Sequence, residues 1–135
     1  MKTKSKKIEC DDREDAVVLQ MLQLENDIEI KRLNCCDYKY KELCIERKTI
    51  NDFCSSIVDG RIVSQVERMN EKFDHVFVIV VGRIKDRTVD VHENCILGKI
   101  TSLIIKHKCN VLMCDDEFQF CYLVKSLCEK YENSL

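Results

Sequence analysis

The stretch His75-Val-Phe-Val-Ile-Val-Val81-Gly82 constrains this chain more than any other, because an apolar, mostly β-branched run fills it from Val76 to Val81. The run is far too short to span a membrane and has no polar face to turn toward water, so it reads as a central strand buried on both faces. A strand of that kind needs helices on each side of its sheet.

The remaining periodicities supply them. Residues 7–11 read as a short strand, and Val17, Val18, Met21, Leu22 and Leu24 then recur at helical spacing. Ile28 and Ile30 alternate with charged residues, as does Leu43 to Lys48, and the two segments read as neighbouring strands. Within the second, Leu43, Ile45 and Arg47 share one face while Cys44, Glu46 and Lys48 share the other. Ile50, Phe53, Cys54, Ile57 and Val58 form a helical stripe that stops at Asp59-Gly60, where glycine is the usual cap. A further helix starts at Arg61, another covers Ile96 to Ile104, a strand spans Val111 to Met113, and a last helix runs from Glu117 to Tyr131. Alternating strands and helices predict an α/β layered domain with a central mixed sheet. At 135 residues one core is expected, with residues 1–7 as a basic tail and 8–132 as the domain.

Composition removes several classes. Hydrophobic residues at 45% and charged residues at 34% exclude disorder, and no signal peptide is visible, so the chain is expected inside the cell, in the nucleus of a eukaryote or the cytoplasm of an archaeal or viral host. The ten cysteines contain no Cys-x-x-Cys pair and fall mostly among apolar residues, which favours reduced, buried thiols over disulfides or zinc. A net charge of −2 gives no global pull on nucleic acid, so any contact with DNA must come from local patches; Lys2, Lys4, Lys6 and Lys7 form one, equally readable as a solvated, frayed tail. His75, His92 and His107 stand at no ligand spacing and are not assigned to chemistry.

The segment that carries chemistry is Asp37-Tyr38, then Glu46-Arg47-Lys48, then Asp52. Residues two apart on a strand point the same way, so Glu46 and Lys48 share a face. A second carboxylate delivered at Asp37 completes a set suited to metal-assisted phosphodiester hydrolysis: oxygen ligands for Mg²⁺, and an ammonium to orient the nucleophile or meet developing charge. Taken alone, such a triplet is a weak signal and more often marks the polar face of a solvated strand. Lys48 and Asp37 are expected to be exposed groups whose replacement leaves the fold intact.

These residues resemble the motif of the XPF/Hef structure-selective endonuclease family: Gly-Asp-Tyr/Phe, a spacer, then Glu-Arg-Lys-x-x-x-Asp. The resemblance extends from about Ile8 to Glu129. Asp11-Asp12-Arg13-Glu14 is similar to the family's Asp-x-Arg-Glu, Ser55 to Arg61 with Gln65 to its serine, Asp-Gly-Arg and glutamine positions, and His92 to Ile96 with Gly98 to its His-Pro-Asn segment. The likeness implies a restriction-endonuclease-like fold, metal carboxylates at Glu14, Asp37 and Glu46, an active-site lysine and arginine at Lys48 and Arg47, and support from Asp11 and Arg13. Asp52 is expected to hold Arg47 or Lys48, and Arg61 and Gln65 to contact DNA or merely to decorate a helix.

The implied function is Mg²⁺-dependent cutting of branched, flap or fork DNA in repair or recombination, with Mn²⁺ able to substitute. The alternative is a non-catalytic dimerisation or scaffold subunit. The sequence departs from the family at Cys36, where relatives have glycine, and at Val81-Gly82-Arg83, where relatives often place an acid. The tandem helix-hairpin-helix motifs that many relatives append are not expected in it. Excess apolar residues on the last helix, Phe118 and Tyr122 among them, predict a homodimer or a heterodimer with a related subunit through the C-terminal third.

Overall fold

The computed structural model describes residues 7–135, and the expected roles of Lys2, Lys4 and Lys6 lie outside them. The elements are β1 (Ile8–Asp11), α1 (Ala16–Glu25), β2 (Ile28–Lys31), β3 (Tyr38–Tyr40), β4 (Leu43–Thr49), α2 (Ile50–Val58), α3 (Arg61–Lys72), β5 (His75–Val81), α4 (Glu93–Lys106), β6 (Asn110–Cys114) and α5 (Glu117–Asn133). A single 3-10 turn at Ile84–Asp86 sits between β5 and α4.

The strands form one mixed sheet in the order β2-β1-β3-β4-β5-β6, antiparallel only where β3 meets β1 and β4. This corrects the expected adjacency of Ile28–Ile30 and Leu43–Lys48. Two strands separate them, because β3 inserts and hairpins onto β4 through a two-residue turn in which Lys41 takes φ 53°. β5 lies between β4 and β6 with Val76, Val78, Ile79, Val80 and Val81 buried, as its apolar run requires.

Two cores lie on opposite faces. One packs Val18, Leu19 and Leu22 of α1 and Phe120 and Val124 of α5 against Tyr38, Ile45 and Ile79. The other packs Phe53, Ile62, Val66, Met69, Ile96 and Leu103 from α2, α3 and α4 against Cys44, Val76, Val78 and Val80. Alternation along β4 and β5 feeds both cores from the same strands. In α1 the buried stripe takes Leu19 rather than Val17 or Leu24, which are exposed.

All ten cysteines are free, and the seven that are buried act as small core hydrophobes. No helix among the described residues is long and apolar enough to cross a membrane. Gly60 caps the start of α3 at φ 79°, and Gly82 at φ 117° passes so close to Ile50 that an added Cβ would lie 2.8 Å from its Cγ2.

Candidate active site

The carboxylates gather where β1, β3 and β4 run side by side. Asp37 is fixed from three directions: its N–H donates to the Ile45 carbonyl at 3.1 Å, its carbonyl accepts from Asp11 N–H at 2.8 Å, and its Oδ2 accepts from Arg47 N–H at 2.8 Å. Position 37 is therefore set by backbone pairing at the end of β3, which a short strand with little hydrophobic pattern does not announce in the sequence.

Asp11, Arg13, Glu14, Asp37, Glu46, Gln65 and Arg68 line one pocket of about 340 Å³, walled by the segment from Leu33 to Cys36. Asp11 and Arg13 hold that wall. Arg13 Nε donates to Asp11 Oδ2 at 2.9 Å and its Nη2 to the Leu33 carbonyl at 2.8 Å, while Leu33 N–H donates to Asp11 Oδ1 at 2.8 Å. Burial would raise the Asp11 carboxyl, but these donors outweigh it and keep it below its usual range.

The inner carboxylates behave oppositely. Burial, then the neighbouring charge of Glu46, pushes Asp37 up, and Glu46 is likewise raised by burial against the pull of Lys48. Burial and the charge of Asp37 take Glu14 up to about 7. Oε1 of Glu14 and Oε1 of Gln65 are buried without a hydrogen-bond partner. The Tyr38 hydroxyl also lacks a partner in good geometry, and burial together with the adjacent charge of Glu14 holds the phenol protonated.

Among the described residues no three His, Cys, Asp or Glu side chains already converge as a metal cage. The donor set still suits a hard divalent cation: it is all oxygen, its acids repel one another, and two of its acceptors lack donors.

Alternation on β4 divides the motif between the two faces. Glu46 and Lys48 sit together, Nζ 3.9 Å from Oε2, and the Lys48 side chain is only 9% exposed. Lys48 is thus buried and Asp37 half-buried, both contrary to expectation: α2 starts directly after Thr49 beside the end of Lys48's strand, and Asp37 is packed between β1 and β4. Arg47 points through the other face, where Nη2 donates to Glu117 Oε2 at 2.7 Å and the guanidinium lies 5.5 Å from the Phe120 ring centroid. It lines no part of the pocket.

Asp52 does not hold Arg47 or Lys48, since those charges meet Glu117 and Glu46 instead. Its side chain is exposed, and its N–H donates to the capping Thr49 Oγ1. Arg61 pairs with Asp59 at 2.7 Å and stays outside the pocket, whereas Gln65 lies inside it. Arg68 joins the pocket without having been singled out in the sequence; its only signal there is a place three residues after Gln65, on the same helix face.

The histidines stay clear: His92 caps α4 by accepting from Asn94 N–H, His75 packs on Tyr131, and His107 lies 3.7 Å from Glu67. After β5, where the sequence departs from the family, Arg83 lies 3.4 Å from Asp115.

Outside the pocket, Phe118 and Tyr122 on α5 are 76% and 68% exposed beside the edge strand residue Met113, around a cleft of about 430 Å³. On α4, which also packs on β6, Leu97, Ile104 and Ile105 are exposed as well.

Comparison with known proteins agrees with this architecture. The model of the ERCC4 domain matches residues 9–127. The chain is 28% identical over 130 residues to the 3'-flap repair endonuclease Xpf of Saccharolobus solfataricus, covering 93% of this chain and 56% of that protein. The solved structure of XPF from Aeropyrum pernix superposes with a TM-score of 0.86 at 26% identity, over 93% of this chain and 64% of that one. The same protein in complex with DNA gives 0.85 at 25% identity, over 94% and 65%. The chain spans little more than half the length of its curated relative. It belongs to the ERCC4-domain family, with the α/β fold of the XPF structures.

Proposed function

We propose that this domain hydrolyses phosphodiester bonds in branched, flap or fork DNA with Mg²⁺ as cofactor, in repair or recombination. The observation that carries this reading is the pocket in which Glu14, Asp37 and Glu46 stand together with raised carboxyl groups beside Lys48. Groups tuned by burial and by one another are more common at working sites than at structural ones. Support also comes from the relatives, one a 3'-flap repair endonuclease and one solved with DNA.

Asp37 and Glu46 would hold the metal, with Glu14 able to turn its unpartnered Oε1 inward. Bound there, Mg²⁺ would supply Lewis-acid polarisation of the phosphate and a more acidic water. The chain's own residues do the rest. The Arg47 amide orients Asp37, Asp11 and Arg13 keep the pocket wall in place, and Lys48 balances the charge of Glu46. Water oxygen bonds to phosphorus as the bond to the 3'-oxygen breaks, leaving a 5'-phosphate and a 3'-hydroxyl with no covalent enzyme intermediate.

The apolar surface at Met113, Phe118 and Tyr122 fits pairing with a second copy or a related subunit. The deciding experiment is a cleavage assay on flap, fork, bubble and linear DNA with Mg²⁺, Mn²⁺, Ca²⁺ or EDTA. Cutting of branched substrates with Mg²⁺ or Mn²⁺, and little with Ca²⁺ or EDTA, is expected. No cutting of any substrate by the pure chain would favour the scaffold subunit.

A further inference from the structure

The sequence carries seven arginines, and six are already committed. Arg13 clasps Asp11 and the Leu33 carbonyl. Arg32 pairs with Asp12, Arg47 with Glu117, Arg61 with Asp59 and Arg83 with Asp115. Arg87 donates to the carbonyls of Ile84 and Val91. Among the described residues, Arg68 alone has neither an ion pair nor a hydrogen bond from its guanidinium.

An exposed arginine is ordinary on a helix surface. This one lines the carboxylate pocket with Asp11, Glu14, Asp37 and Glu46, and its charge reaches Glu46. We infer that Arg68 grips a backbone phosphate of the DNA strand that enters the pocket. The inference rests on the nuclease reading and adds to it the residue that meets the substrate's charge.

Elimination points the same way. A metal held by the carboxylates would meet the phosphate that is cut, but the neighbouring phosphates of the strand need a cation with free donors at the rim. Lys48 is buried against Glu46, Arg13 is held by Asp11, and Arg47 faces the opposite side of the sheet. Arg68 has five unused N–H donors in the planar fork that matches a phosphate bidentately. Gln65 and Lys72 flank it on the same face of α3, so a strand could follow the helix for roughly 10 Å at about 1.5 Å per residue.

The test is fluorescence anisotropy of the full chain with labelled forked DNA in Ca²⁺ buffer, titrated across salt, alongside cleavage in Mg²⁺. Arg68→Ala should weaken binding about tenfold, equally for all sequences, and flatten the plot of log affinity against log salt by about one unit. Arg68→Lys should keep the wild-type slope with part of the affinity, and Lys130→Ala on α5 should change neither. Arg68→Gln, which keeps the stem, reads the same way should the alanine variant fold poorly.

Wild-type affinity and slope in both uncharged variants would overturn the assignment. A wild type that binds through Arg68 yet never cuts would defeat the nuclease reading and leave this one standing. One that cuts with Arg68-independent binding would do the reverse. A chain that binds no DNA overturns both.

Discussion

The carboxylate pocket and the patch around Phe118 and Tyr122 are both unsatisfied, but in opposite ways. In the pocket, buried oxygens of Glu14 and Gln65 lack donors and the acids crowd one another. On the patch, the rings of Phe118 and Tyr122 lie open to water. Under the proposed function the first would take a cation and the second another apolar surface, two ligands that cannot be exchanged.

The strongest way to break the comparison is to remove the pocket's chemistry. Asp37→Asn and Lys48→Met are expected to reduce cleavage by at least about 10²-fold with the circular-dichroism spectrum unchanged. Methionine is preferred to alanine at position 48 because the lysine stem is buried. Retained cleavage in either variant would show that the pocket is not the site.

The patch should respond in mass and not in chemistry. Phe118→Ser combined with Tyr122→Ser is expected to halve the particle mass seen by light scattering at tens of micromolar. A wild type that is already monomeric there would defeat self-pairing, and a related subunit would become the partner to look for.

The pocket should also be visible in stability. A carboxyl raised on folding stabilises the fold only while protonated, fully below its ordinary value and no longer above its raised one. Glu14 moves from 4.5 to about 7 and Asp37 moves the same way. In EDTA, Tm should therefore fall as pH rises from about 4.5 through 7, by on the order of 5 °C, and Asp37→Asn should flatten that fall. Equal pH dependence in the two proteins would mean that these acids are not strained in the fold.

The smallest effect is reserved for the Arg47 side chain, which lines neither the pocket nor the patch. Arg47→Ala should cost about 1–2 kcal/mol in denaturant unfolding, since it breaks a partly buried pair with Glu117, and reduce cleavage less than Lys48→Met does. A loss of cleavage as deep as that of Lys48→Met would bring Arg47 back into the chemistry.

What could be read in advance divides along physical lines. β5 was legible because an apolar β-branched run permits few alternatives, and the face shared by Glu46 and Lys48 followed from strand alternation alone. β3 has three residues and no pattern, so neither its existence nor its insertion between β1 and β4 could be seen. The Arg47 to Glu117 pair joins residues 70 apart, and no local signal specifies such a contact. Lys48 looked exposed because alternation names a face but not what covers it. Arg68 escaped because a charged residue on a helix has the same appearance in sequence whether it faces water or a site.

Because β3 and β4 are joined by a turn of only two residues, insertions and deletions there carry a penalty that substitutions do not. A single deletion between Asp37 and Glu46 would tend to slip the strand by one position and exchange its faces. Arg47 would enter the acid pocket, while Glu46 and Lys48 would be forced toward Phe120. Descendants of this chain are thus expected to vary between these residues in spelling but hardly in length, and length would be the safer guide when aligning distant kin.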